Sequence, residues 1–243
     1  MRSLQVLTPA RECIYNCPFC ISRSHFHNNI FANTYEEDRE EWARNYEKVL
    51  KEHNDLFSVV ITGTNEAMQD PDCVLDIINI TRDVRPDVQI ELQTRVYKEH
   101  PIYHLVDVAA FSISEFENVG VPSVIPGVIT RYTVILTDSF NGKSLDDIIS
   151  KIPEGVTQLT FKILQTSHGV DQEMDDWIAK HHLDDETRNS LKEEIKNTPT
   201  RFSIFFDETC MDAENRYMVF REDGNLYKNY DATSPVAEFT RKK

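Results

Sequence analysis

Short apolar runs recur along the chain, and a stretch of different period separates most neighbours. The runs are SLQVLT (3–8), SVVITG (58–63), VQIELQT (88–94), VAAFSIS (108–114), RYTVILT (131–137) and QLTFKILQ (158–165). Each is short and rich in β-branched or aromatic residues, the pattern of a buried strand. The stretches between them follow the helical period. In YEEDREEWARNYEKVLKEH (35–53), Trp42, Tyr46, Val49 and Leu50 fall on one face and charges on the other. DPDCVLDIINITRDV (70–84) opens with acidic residues and a proline, as helix starts do, and SLDDIISKI (144–152) is a shorter case. Strand alternating with helix predicts an α/β fold of parallel strands joined by crossovers. Six units are too few for a closed eight-fold barrel. They suit a partial (β/α)6, TIM-like barrel, or else an open doubly wound sheet. In either, ligands gather at the carboxyl ends of the strands.

The last third changes character. Residues 171–199 are charged, lack glycine and read as helical, and RFSIFFDET (201–209) follows. RYMVFRED and LYKNY then read as a hairpin turning at Asp223-Gly224. No linker rich in Gly, Pro or Ser interrupts the chain. The expected division is a core barrel over 1–170 and, in the same domain, a helical and β-hairpin extension over 171–243 that caps it.

Composition narrows the function. A chain of 243 residues, 40% hydrophobic and 28% charged, can bury one sizeable core. No apolar run is long enough for a membrane helix, and the opening MRSLQVLTPARE lacks a secretory h-region. A net charge of −15 and a pI near 4.9 are the wrong sign for a phosphate-binding footprint. Nucleic acid is therefore not expected as a partner, and a small molecule fits better. Five cysteines, an odd and clustered set, argue against a disulfide framework and for a reducing, cytoplasmic setting.

Three of those cysteines fall directly after the first predicted strand, in TPARECIYNCPFCISR (8–23). Cys13, Cys17 and Cys20 are spaced C-x3-C-x2-C. A disulfide uses two thiols and a closed tetrahedral zinc site four ligands. Three thiolates can hold three irons of a [4Fe–4S] cluster and leave the fourth open to another ligand. Zinc remains the competing reading, with His25 or His27 as the extra ligand. Cys73, Trp42 and Trp177 read as packing residues, and Cys210 stands alone. His181-His182 reads as solvent-facing, and His168 is a weaker site candidate.

This pattern resembles the radical S-adenosylmethionine (SAM) superfamily over residues 1–165. Its signature is C-x3-C-x-aromatic-C after the first barrel strand, and Phe19 supplies the aromatic. ITGTNEAM follows the second strand, where the family carries a Gly-Gly-Glu-like motif for the SAM amino group. The resemblance places Gly63, Thr64 and Glu66 there, with Thr64-Asn65 departing from the usual neighbours. ELQT ends the third strand like the family's LQTN segment, placing Gln93 near SAM and Arg95 where Asn is usual. FSIS ends the fourth, which makes Ser112 and Ser114 candidates for the SAM ribose or carboxylate. The resemblance implies a [4Fe–4S] cluster and SAM as cofactors and a one-electron reductant of flavodoxin or ferredoxin type. It also implies a reaction. An electron from the cluster cleaves SAM to a 5′-deoxyadenosyl radical, which takes hydrogen from an unactivated carbon.

Polar residues at the later strand ends should face the substrate. Glu115, Arg131, Lys162, Gln165, Asp207 and Glu208 are the expected substrate-binding set, with Glu117, Asp138 and Asp212 nearby in the pattern. Carboxylates suit a guanine-like edge or an ammonium. Small size, acidity, a single cluster motif and the tail at 206–231 resemble a 7-deazapurine enzyme. The implied case is the queuine or queuosine lyase of bacterial queuosine salvage, which cleaves a C–N bond and releases a 7-aminomethyl-7-deazaguanine. A peptide-modifying or activating enzyme, a nucleoside or sugar dehydratase, and a non-enzymatic Fe–S or zinc sensor stand as alternatives.

Overall fold

A computed structural model of the protein describes residues 2–9, 12–22, 33–207, 217–230, 232 and 234–236. Nine strands form one sheet in the order β7-β6-β5-β4-β3-β2-β1-β8-β9. The first six are β1 (Arg2–Thr8), β2 (Leu56–Gly63), β3 (Gln89–Thr94), β4 (Val108–Ile113), β5 (Ile129–Leu136) and β6 (Val156–Ile163). They lie side by side in chain order, all parallel, and each matches a predicted run to within two residues at either end. The sheet does not close on itself, so the α/β partial barrel is the architecture found.

The extension from residue 171 builds both edges of this sheet. β7 (Ser203–Asp207) pairs parallel with β6. β8 (Tyr217–Phe220) pairs parallel with β1, and β9 (Leu226–Tyr227) turns back antiparallel on β8. The predicted hairpin is present, and it continues the sheet beside the first strand.

Six α-helices are described: α1 (Thr34–Glu37), α2 (Arg39–Glu52), α3 (Pro71–Val84), α4 (Leu145–Lys151), α5 (Gln172–His181) and α6 (Asp185–Asn197). Between β3 and β5 the crossovers carry only short 3-10 turns at Pro101–Leu105 and Phe116–Asn118. The helices set a stop on each side. Asp38 caps α2 through the Glu41 amide, Pro71 opens α3, and Ser144 and Asp147 form a reciprocal capping box on α4.

Only one face of the sheet is covered by helices. Val6, Ile61, Leu92, Phe111, Tyr132, Val134 and Phe161 are fully buried there with Trp42, Tyr46, Val74 and Ile77. Phe220 of β8 joins them, its ring 5.3 Å from those of both Trp42 and Tyr46. The opposite face is mixed: Leu7, Val219 and Tyr227 form a small buried apolar cluster at β1, β8 and β9, and Glu91, Gln93 and Arg131 form a polar ladder on β3 and β5. β5 alternates strictly, with Ile129, Arg131, Thr133 and Ile135 half-buried and their neighbours buried. A parallel strand covered on both faces would be apolar throughout. Alternation here marks an inner face without a helical layer. That face carries the side chains that can meet a ligand.

Candidate active site at the carboxyl ends of β1 to β4

The cysteine loop leaves β1 at its carboxyl end and is tied down at several points. Ile14 N donates to Gln69 Oε1 (3.0 Å), and Gln69 Nε2 donates back to Glu12 O (3.0 Å). Asn16 adopts a left-handed φ of 40°, a region Asn tolerates better than most residues. A tight turn follows, closed by Cys20 N donating to Cys17 O at 3.1 Å. Gly63 lets β1 and β2 meet above this loop, since a Cβ there would lie 2.6 Å from both Thr8 Oγ1 and Asn65 Oδ1.

Cys13, Cys17 and Cys20 are half-buried free thiols. Cys20 Sγ shares a 2.8 Å hydrogen bond with Ser22 Oγ. Cys17 Sγ accepts from Arg95 Nη1. Burial pushes the Cys17 thiol up, Arg95 opposes that, and the neighbouring Cys20 and Cys13 add to the rise. As donors the three suit an iron–sulfur cluster: soft sulfurs on one short loop, none in a disulfide, with a cation beside one and a hydroxyl beside another. Among the described residues, no three His, Cys, Asp or Glu side chains converge on a common metal position. His25, His27, Cys210, Asp212 and Glu208 lie outside the described residues.

Glu66 is 5% exposed and fully engaged. Its Oε1 accepts from Met68 N (3.0 Å) and Thr94 Oγ1 (2.5 Å), and its Oε2 accepts from Arg95 N (2.8 Å). The carboxylate thus locks the end of β2 to the end of β3. Ser114 is buried and accepts from Arg95 Nη2 at 3.0 Å, while its carbonyl accepts from Thr137 Oγ1 at 2.8 Å. Ser112 presents its carbonyl to Tyr97 Oη at 2.6 Å. Asn65 Nδ2, buried beside Gly63, has no hydrogen-bond partner among the described residues.

Deeper on the inner face, Arg131 reaches over the small Ala110 of β4 to Glu91 Oε2 (2.6 Å). Its Nε donates to Gln158 Oε1 (2.8 Å). Gln93 Nε2 donates to the other Glu91 oxygen at 3.0 Å. Lys162 and Asp207, paired across β6 and β7, stand 3.9 Å apart and are each about a third exposed. Gln165 follows β6 and is half-buried. Glu115 is exposed on the loop after β4, away from this ladder's hydrogen bonds. Of the carboxylates expected to face a ligand, the described Glu115 and Asp207 stand in different places. Glu91, absent from that expected set, is buried on the inner face, and its diagonal contact with Arg131 across β4 needed the three-strand register to be seen.

Two contacts close the mouth. The Phe19 ring lies 5.4 Å from Trp177 of α5, which stacks on His181 at 4.4 Å. His181 Nδ1 in turn meets Asp138 Oδ2 at 3.0 Å. The helix after β6 thus touches the loop after β1. On the other side, the Tyr230 ring lies 6.2 Å from that of Tyr217, and burial raises its pKa. His168 is an exposed turn residue with φ 55°. It stands apart from these contacts.

The fold has solved counterparts. A structure described as native anSMEcpe with bound AdoMet aligns with a TM-score of 0.55 at 12% identity, covering 96% of this chain and 75% of that one. A structure described as BtrN in complex with AdoMet and 2-DOIA aligns at a TM-score of 0.39 and 10% identity, covering 98% of this chain and 77% of that one. No protein-family model matches the sequence, and no curated protein does. At such identity the likeness is one of fold. No helix among the described residues is long and apolar enough to cross a membrane.

Proposed function

We propose that this chain is a radical SAM enzyme acting on a small molecule. The observation that carries the reading is the Cys13, Cys17, Cys20 loop at the carboxyl end of β1 in an open parallel sheet. The AdoMet bound in a structure of the same fold supports it. Cys13, Cys17 and Cys20 would hold a [4Fe–4S] cluster, which when bound supplies the electron that cleaves SAM to a 5′-deoxyadenosyl radical. A flavodoxin or ferredoxin would deliver that electron.

The remaining work falls to the chain's own residues. Phe19, its ring against Trp177, would shield one side of the loop from water. Gly63 and Thr64 end β2 beside the cysteine loop, and Asn65 Nδ2 is a donor without a partner among the described residues, so SAM would lie along β2 with Gln93, Ser112 and Ser114 beside it. Glu66 serves this site by fixing Met68, Thr94 and Arg95 behind it.

The substrate would take the inner face. In the Arg131–Glu91 pair the carboxylate is buried and the guanidinium half-buried, and Gln158 and Gln93 brace it, so it would shape the floor. Lys162 and Asp207 form a longer and more exposed pair, which can open to a ligand carrying both a donor and an acceptor. Glu115, Gln165 and Glu208 complete the proposed set. A queuine-type 7-deazapurine carries an amidine-like edge that meets this requirement, and C–N lysis of queuine or queuosine is the reaction proposed. The test is anaerobic turnover with SAM and dithionite, with and without queuine. The reading predicts 5′-deoxyadenosine rising on queuine addition. Equal 5′-deoxyadenosine in both arms would keep the enzyme class and remove the deazapurine.

A further inference from the structure

Arg95 has an unusual set of partners. Its amide donates to Glu66 Oε2 (2.8 Å), and its carbonyl accepts from Tyr15 Oη (2.9 Å). Its guanidinium donates through Nη1 to Cys17 Sγ and through Nη2 to Ser114 Oγ (3.0 Å), and lies 5.2 Å from the Tyr15 ring centroid. One residue therefore touches the cysteine loop twice, at Tyr15 and Cys17, and also joins the ends of β2 and β4. Among the described residues, no carboxylate is ion-paired with this guanidinium. A half-buried arginine normally meets an anion. Here the group in that place is a cysteine sulfur, which is anionic when it serves as a metal ligand.

We propose that Arg95 is a positioning residue for the metal-binding loop, holding Cys17 in place and keeping positive charge and a hydrogen-bond donor against its sulfur. The inference rests on the cluster reading above. Two consequences follow for the loaded protein. A donor and a cation at a ligand sulfur stabilise the more reduced, more negative cluster, which raises its reduction potential. A tethered loop also retains iron better, because outer-shell partners of metal ligands are worth about tenfold or more in affinity.

The test compares wild type, Arg95→Gln, Arg95→Lys and Ser114→Ala after anaerobic reconstitution with iron and sulfide. Iron retained through gel filtration and the midpoint potential from an EPR-monitored redox titration are both read. Arg95→Gln should lose about tenfold in iron affinity and shift the potential to a more negative value. Arg95→Lys keeps the charge and should restore most of the potential but not the iron retention. Ser114→Ala removes only the second anchor and carries the test if Arg95→Gln does not fold. It should retain less iron than wild type. Arg95→Gln with wild-type iron and wild-type potential overturns the inference, as does wild-type iron retention in Ser114→Ala. Wild type without iron overturns the functional reading instead.

Discussion

Glu66 and Glu222 are both nearly inaccessible carboxylates, and their surroundings give them opposite characters. Glu66 accepts three hydrogen bonds across two strand ends. Glu66→Gln would aim an amide donor at one of those N–H or O–H groups, leaving a buried donor unpaired. The expected cost is about 1–3 kcal/mol, visible as a lower urea midpoint at unchanged m-value, together with weaker SAM binding. Glu222, in the turn after β8, is 3% exposed, and its Oε2 has no hydrogen-bond partner among the described residues. Burial pushes its pKa up from 4.5 to about 7, with Asp223 adding to the rise and Arg221 opposing it. Folding thus favours the protonated acid. Its contribution is fully present below the unfolded value and is lost as pH climbs through about 7. The loss is on the order of 3 kcal/mol. Urea unfolding from pH 4.5 to 8 should show that decline in wild type and not in Glu222→Gln; parallel curves would rule out a buried titrating Glu222.

Among the elements, the strands carry the clearest record of themselves in sequence. Apolar runs placed β1 to β6, because each must bury one face against helices. The α2 and α3 stripes were legible for the same reason, and so was the packing role of Trp42 and Cys73, both fully buried. What the pattern could not hold was contact between distant segments. Nothing local says that β8 should pair with β1, or that Trp177 on α5 should cover Phe19. The Arg131–Glu91 pair is of this kind, since it runs diagonally across β4 between residues of two non-adjacent strands. Arg131→Met should leave Glu91 buried without its cation and cost about 3–5 kcal/mol. The double variant with Glu91→Leu should recover most of that loss. A double variant no more stable than Arg131→Met would mean that the ladder does not act as a pair.

Taken together, the chain is a one-sided parallel sheet. Helices cover its outer face, a polar ladder and a small apolar cluster share its inner face, and three thiols stand at the carboxyl end of its first strand. The location of the candidate site was legible because ligands gather at that end of parallel strands and the cysteines announce themselves by spacing. The charges that would contact a substrate were not, because a carboxylate reads alike whether it is paired, capping or exposed. All these features draw their meaning from the thiol loop. The decisive measurement is therefore iron and acid-labile sulfide per chain after anaerobic reconstitution, made on wild type and on Cys17→Ala, with 5′-deoxyadenosine assayed after adding SAM and dithionite. The account predicts about four irons, SAM cleavage by wild type, and loss of both in the variant. A chain that binds zinc in place of iron, or that cleaves SAM equally well without Cys17, would contradict it.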